Sequence, residues 1–590
     1  MISNKKRLLI YSIPFFILFS LIIFVPILAS PYPPIKPSPI PFGDYAYAIA
    51  YTEYRIQKMM EKYNLPCVAV SIVDDQKTIW SNVTGISNEF YNRPATSETI
   101  FRIGSISKVF TALEIMLLNE QGLINLDSPI TDYLPDFSIK SHFNTTVPIT
   151  IRHILAHRSG LPRNDNLLPW YWDPGSDHVL EEVVKSVQES YAAYPAGSRY
   201  KYSNLGYDVL GRIIEIIRGK WFPIALQEDF FDPLKMESTA YKSELLHSIS
   251  DIAVGYYPEK RKNIAYNQYD IINLASGNLY STIGDLSKFM KWVFRGGEQN
   301  SVPLLEKVTL SKMFVDQYSR PQDPQANGLG FFTDRSYFGG KLLIFHDGDI
   351  DGTQSSILML PEQKLGLVLI SNSDSFTQEN KQFAYELLAI LLETKYGDKS
   401  SEDHVIEPIS LDSATLFQYT GTYVIHDTLS TIYTQQNKLK GKIYGLTVRM
   451  MPLDESSFKI QHWFLDVGNI EVNFYEDYLI LSIEGIDHKF CPKYPEYDEV
   501  PEDWTKFIGT YEVLPRRGSI YTEEWAFFTD EIKEEKKVLQ FRDAGLFLKS
   551  LNSTELIILG GPFDGETIIR DPMSGDIFWQ HLRYKPITVI

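Results

Sequence analysis

Cysteine is almost missing: Cys67 sits in an apolar run, and Cys491, far downstream, is the only other one in 590 residues. Two thiols so far apart exclude a disulfide framework and the paired spacings of a structural zinc site, and leave buried free thiols as the expectation. Positive charge is also scarce, with 56 Lys+Arg against 74 Asp+Glu and a net charge of −18. The deficit is deepest in residues 401–590, where 31 acidic residues face 18 basic ones. A protein that tracks phosphate backbones needs the opposite sign, so nucleic acid is excluded as a partner. Compositional extremes are absent too. At 44% hydrophobic and 22% charged residues, the chain is neither disordered throughout nor fibrous. The 36 Tyr and 34 Phe lean towards β-structure.

One stretch lacks charge altogether. Leu8–Ala29 runs for 22 residues behind Lys5, Lys6 and Arg7. That is enough helix to cross ~30 Å of hydrocarbon, and the basic cluster puts the N-terminal end in the cytoplasm and the body outside. The stretch is longer than the apolar core of a cleavable signal peptide, so residues 1–30 read as a signal-anchor transmembrane segment. Cleavage after Ala29 or Ser30 is the rival, and it also exports the body. The sequons at Asn82, Asn144 and Asn552 are compatible with export. Residues 31–41, PYPPIKPSPIP, hold six prolines. They predict a polyproline II spacer of ~3 Å per residue within a linker over 31–44.

The remainder divides by pattern. Tyr45 to about Lys62 predicts an amphipathic helix, VAVSIV (68–73) and TIWSNVTG (78–85) a pair of strands, and residues 136–280 a mostly helical insertion between halves of a sheet. Strands return at 341–347, 355–361 and 365–372, followed by a helix over Lys381–Lys395 and a polar linker at 397–408. Beyond it an internal repeat appears: Leu416-x-x-Tyr419-x-Gly421-Thr422-Tyr423 recurs 88 residues later as Trp504-x-x-Phe507-x-Gly509-Thr510-Tyr511. Units of this size suit two small antiparallel barrels, over 408–497 and 498–590, rather than one larger one.

Three short motifs carry chemistry. Ser105-Ile106-Ser107-Lys108 opens an amphipathic helix, Tyr202-Ser203-Asn204 follows 97 residues after Ser105, and His346-Asp347-Gly348 ends a strand 241 residues after it. Each alone is weak; Ser3-Asn4-Lys5-Lys6 is a second Ser-x-x-Lys. The physical case is stronger. Positions i and i+3 share a helix face, so Lys108 can reach the Ser105 hydroxyl. A helix start offers unpaired N–H groups to a developing negative charge. Serine needs an adjacent base, and a phenol near an ammonium is pushed towards phenolate, which makes Tyr202 with Lys108 a candidate base pair that titrates together.

In this order and spacing the motifs resemble the serine β-lactamase and penicillin-binding-protein superfamily, on the branch of class C β-lactamases, D-aminopeptidases and D,D-carboxypeptidases. ITIRHILAHRSGLP (149–162), YPAGSRYKYSNLGYDVLG (194–211), DPLKMEST (232–239), ASGNLYSTIGDLSKFM (275–290) and NGLGF (327–331) match the same habit. The resemblance implies an α/β (α+β) catalytic domain over 45–400, an antiparallel sheet flanked by helices with a helical insertion. Lipocalin-like antiparallel β-barrels would follow it. It implies an acylated Ser105, with Lys108 assisting deprotonation and Tyr202 as general base. Asn204 would hold Lys108 and the substrate amide, and His346 and Gly348 would line the substrate site. The N–H groups of Ser105 and Asp349 would form an oxyanion hole. No metal and no organic cofactor are implied. The substrate would be a small peptide, amide or ester.

Other residues read as structural. His153 and His157 have the i, i+4 spacing of a helical zinc pair, but no acidic residue lies between them and no third ligand is evident. Trp170-Tyr171-Trp172 is open between a substrate rim and plain packing. Relatives that grip carboxylates carry a hydroxyl where this chain has Asp347. If its carboxylate points into the site, it repels anionic substrates by ~1–4 kcal/mol and favours amine-bearing, neutral amide or ester substrates over β-lactams.

Overall fold

A computed structural model describes residues 32–590, apart from 145–146, 166–167, 169–177, 244–245, 247–250, 261, 267–269, 319–325, 398–408, 426–427, 444, 463–469, 476–477, 484–486, 495–508, 516–528, 536–537, 542–545, 553–554, 560–563, 571–572, 574–576, 580–581 and 587–590. The Leu8–Ala29 run, the Trp170–Trp172 loop and nearly all of the 397–408 linker lie outside the described residues. Among the described residues no helix is long and apolar enough to cross a membrane.

The body over residues 45–400 is built on eight strands: β1 (Cys67–Asp74), β2 (Lys77–Asn88), β3 (Arg93–Pro94), β4 (Ala326–Asn327), β5 (Phe332–Asp334), β6 (Leu343–Ile350), β7 (Thr353–Leu360) and β8 (Leu365–Ser371). They lie in the order β4-β5-β6-β7-β8-β1-β2-β3, every pair antiparallel. The central strands read as unbroken apolar runs because both faces are covered. Along β1, Cys67, Ala69 and Val73 enter one core while Val68, Val70 and Ile72 enter another. On the second face lie helix α1 (Ala46–Tyr63) and the C-terminal helix of the body, Thr377–Tyr396. In α1, Ala48, Thr52, Ile56 and Met59 recur at helical spacing and are the buried residues. Each fully buried Val, Leu or Ile contributes ~1.5–3 kcal/mol to this sandwich.

The first face carries the helical region between β3 and β4. At its centre is α2 (Ser107–Glu120), expected to be amphipathic but buried at 11 of its 14 positions. It is packed among the sheet, α3 (Asn204–Arg218) and α4 (Ile283–Phe294), so apolar residues surround it on all sides. Its Glu114 is tolerated there because Arg218 Nε donates to it at 2.6 Å, and burial pushes its carboxyl up to about 8.

The proline-rich stretch departs from the expected free spacer. Lys36 Nζ pairs with Glu393 at 2.6 Å, Ile40 is buried, and the Gly43 N–H donates to the Thr394 carbonyl at 2.8 Å. Its apolar and polar groups find partners on the last helix of the body, which ties the segment down from Lys36 onwards.

Two further sheets follow. Eight strands from Gly421–Ile425 to Asp487–Pro492 pair in chain order, and a Tyr423↔Lys493 bridge nearly closes them. Eight more, from Gly509–Pro515 to Leu582–Pro586, form a closed barrel. Cys67 and Cys491 are both buried and not disulfide-bonded to each other, and burial pushes the Cys67 thiol up to about 12.

Candidate active site

Ser105 lies in a single 3₁₀ turn, Gly104–Ile106, that leads directly into α2. Ser107 braces the turn: its hydroxyl donates to the Gly104 carbonyl at 2.6 Å and accepts the Leu279 N–H at 3.0 Å. Gly104 has φ +49°, which glycine adopts without steric cost. A Cβ at Gly104 would lie 2.9 Å from the Asp349 backbone nitrogen. The end of β6 is therefore pressed against the turn. Gly348 permits this, since a Cβ there would meet the Ile103 carbonyl oxygen at 2.1 Å. Ser355 on β7 locks the junction by donating to that carbonyl at 3.0 Å. The main-chain nitrogens of Ser105 and Asp349 are thus brought to one corner, from segments far apart in sequence.

Lys108 is fully buried, and its Nζ has three hydrogen-bond partners. Its Nζ donates to Ser105 Oγ at 3.1 Å, Asn204 Oδ1 at 2.7 Å and the Ser276 carbonyl at 2.7 Å. Burial holds its ammonium well below the ordinary lysine range; Asp208 partly offsets this and Arg163 adds to it. Tyr202 covers the lysine, with its ring centroid 4.8 Å from Nζ, and its hydroxyl is hydrogen-bonded to Ser105. Burial pushes this phenol up to about 12, with Arg163 and the Ser105 hydrogen bond pulling the other way. The expected push towards phenolate is outweighed, because desolvation acts on both groups and disfavours both charged forms. Burial therefore disfavours the ammonium and the phenolate alike.

Asn204 begins α3, whose N-cap Ser203 accepts the Gly206 N–H at 2.9 Å. Its side-chain amide donates to Asn164 Oδ1 at 2.7 Å. His346 is only 2% exposed; its ring lies 4.9 Å from that of Phe332, and its Nδ1 donates to the Asp347 carbonyl at 2.7 Å. Burial, helped by Lys108, depresses it to about 3, so this ring is neutral and supplies no cation.

Asp347 points the other way. Strand alternation places it with Leu343 and Phe345 on the face of the second core, opposite His346 and Gly348. Ser356 Oγ donates to its carboxylate at 2.7 Å and accepts from Asn380 of the last helix at 3.2 Å. The supposition that Asp347 projects into the site and penalises anionic substrates is overturned; its charge reaches Tyr202 only as a lesser influence. Asp347→Thr is accordingly expected to change kcat/KM for a chromogenic cephalosporin and for an aminoacyl amide by less than ~3-fold each. A tenfold gain on the cephalosporin alone would refute this placement.

The family model described as Beta-lactamase matches residues 53–392, more than half of the chain. The chain belongs to the Beta-lactamase family. Among its relatives is the Unguisins hydrolase ungD' of Aspergillus campestris, 27% identical over 338 residues, covering 55% of this chain and 61% of that one. Protein flp of Staphylococcus aureus is 25% identical over 324 residues, covering 54% and 62%. The chain thus spans about three-fifths of the length of these curated relatives. Among solved structures, the octameric penicillin-binding protein homologue from Pyrococcus abyssi superposes with a TM-score of 0.53 at 25% identity, covering 75% of this chain and 99% of that one.

Several residues of this β-lactamase-family site escaped the sequence reading. Asp208 is wholly buried and accepts from Asn273 Nδ2 at 2.7 Å, the N–H groups of Ala275 and Ser276 at 3.0 and 3.1 Å, and Ser276 Oγ at 3.1 Å. It fixes the carbonyl that receives Lys108, and its i, i+4 spacing from Asn204 on α3 was an available signal. The Arg163 guanidinium carbon lies 5.0 Å from the Tyr202 ring centroid. His157 stacks on the Tyr202 ring with centroids 4.3 Å apart, while His153 joins Thr150 in a capping box. The two histidines therefore serve different ends, and no group of three metal-ligating side chains exists among the described residues.

Proposed function

We propose that this chain is an exported, membrane-tethered serine hydrolase that cleaves amide bonds through an acyl-enzyme on Ser105. We propose further that it is a peptidase acting on small or D-residue-containing peptides. The observation that carries the reading is the threefold coordination of Lys108 by Ser105, Asn204 and Ser276. A lysine buried with its charge disfavoured, 3.1 Å from a serine hydroxyl, is a base rather than a counter-ion. The tether rests on the basic cluster and charge-free run of residues 5–29.

In the proposed cycle the Ser105 proton passes to Lys108 as Oγ bonds to the scissile carbonyl carbon. The carbonyl oxygen takes the negative charge and is met by the N–H groups of Ser105 and Asp349. Collapse breaks the bond to the leaving nitrogen, which is protonated from the Tyr202 hydroxyl while Lys108 returns a proton to the phenol. Water then repeats the sequence on the ester. Asn204 and Asn164, hydrogen-bonded to each other, line the path of the substrate amide. An esterase or weak β-lactamase is the second reading, and the outward-facing Asp347 favours it by removing an expected barrier to anionic substrates. An inactive surface binding protein is the third; it would have no use for a lysine coordinated in this way.

The deciding experiment is a panel of D- and L-aminoacyl p-nitroanilides, p-nitrophenyl esters and a chromogenic cephalosporin. Peptidase action predicts turnover of the anilides, with a D preference of at least ~10-fold in kcat/KM. Turnover of esters alone would replace the proposal with the esterase reading.

A further inference from the structure

We infer that Glu566, on the second barrel, is a positioning residue for the Tyr202-Ser203-Asn204 motif, so that the barrel supplies part of the active-site frame. The inference rests on the serine-hydrolase reading above.

Glu566 lies in the hairpin between strands Glu555–Leu559 and Thr567–Arg570. It is 1% exposed. Its Oε1 accepts the Arg163 backbone N–H at 2.8 Å and Lys201 Nζ at 3.2 Å, and Lys201 is itself 5% exposed. These partners flank the tyrosine from two sides. Lys201 immediately precedes Tyr202, and the Arg163 carbonyl accepts the N–H groups of Asn204 at 2.7 Å and Leu205 at 3.2 Å. One oxygen thus ties the loop after Pro162 to the segment that carries both Tyr202 and Asn204. The same tie sets the backbone from which the Arg163 guanidinium reaches over the Tyr202 ring.

The hairpin is seated at other points that touch nothing catalytic. Tyr194 donates its hydroxyl to Asp564, Tyr191 donates to Glu555 Oε1 at 3.1 Å, and His142 Nε2 meets Thr567 Oγ1 at 3.2 Å. Docking alone therefore does not need a buried carboxylate at Glu566. Burying an ion pair brings little net stability against well-packed apolar side chains, and here Oε2 is buried with no hydrogen bond among the described residues. What the carboxylate does supply is a fixed distance between two backbone segments, and displacement of a catalytic group by ~1 Å can cost ~100-fold in rate.

The test uses the full chain and a fluorophosphonate probe that acylates the nucleophile, with the rate constant at saturation and the labelled fraction read separately. Glu566→Ala should lower the rate constant ~30-fold or more and shift half-saturation by less than ~3-fold. Glu566→Gln retains an acceptor at Oε1 and should stay within ~5-fold of the parent. Glu555→Ala, which removes the acceptor of the Tyr191 hydroxyl, should lower the melting temperature and leave the rate constant unchanged. An unaltered rate constant in Glu566→Ala, or a smaller labelled fraction at the parental rate, would show that Glu566 merely docks the barrel and would overturn the inference alone. Failure of the parent to label at Ser105 would overturn the hydrolase reading and this inference with it.

Discussion

Ser105→Ala should lower turnover of any substrate of this chain by at least ~10⁴-fold and abolish covalent labelling by fluorophosphonate or penicillin-type probes. The size of the effect follows from geometry. The hydroxyl is hydrogen-bonded to both Lys108 and Tyr202, and it sits at the corner where the Asp349 N–H meets the helix start. Loss of Oγ removes the bond-forming atom but leaves Lys108 with the Asn204 and Ser276 acceptors, so the fold should survive with little change in melting temperature. Mass spectrometry of the labelled parent should place the adduct on Ser105. An adduct elsewhere, or an alanine variant retaining a tenth of the activity, would be incompatible with the proposed acyl-enzyme.

Asp208→Ala should have the largest effect on stability, ~3–5 kcal/mol by chemical denaturation. The carboxylate is wholly buried, and its two oxygens together receive four hydrogen bonds from Asn273, Ala275 and Ser276. Alanine strands all four donors in a site closed to water. Activity should fall at least ~100-fold in the same variant, because the Ser276 carbonyl that anchors Lys108 loses its support. Asp208→Asn is the informative companion. It fills the same volume but turns an amide NH₂ towards donors, so it should cost ~1–3 kcal/mol while still slowing acylation. If Asp208→Ala unfolds at the parental denaturant concentration, the anchoring network has been misassigned. If stability falls but acylation is unaffected, Asp208 supports the core without positioning Lys108.

The elements that were legible beforehand are those whose determinants are local. Strands β1, β6, β7 and β8 read as apolar runs because both faces are covered, and α1 declared itself through Ala48, Ile56 and Met59. The resemblance located Ser105, Lys108, Tyr202 and Asn204, and the structure gathers the other three around the Lys108 nitrogen within hydrogen-bonding or ring-contact distance. The illegible parts depend on what lies across a gap. The expected amphipathicity of α2 was wrong because burial on all sides comes from elements distant in sequence. The direction of Asp347 is a question of strand parity relative to the site, and a shift of one residue reverses it.

By itself, then, the sequence determined that the chain has an acidic, cysteine-poor body, a repeat at its C-terminal end, and a serine one helical turn from a lysine. Composition, repeat spacing and helical periodicity are properties of short stretches and need no partner to be read. Only the tertiary structure decided the protonation bias of Lys108 and Tyr202, since desolvation depends on everything packed around them. It alone turned Asp347 towards Ser356 and the last helix, and placed Asp208 behind Ser276. It also set Glu566 of the barrel against Lys201, a contact between residues 365 positions apart that no local pattern encodes.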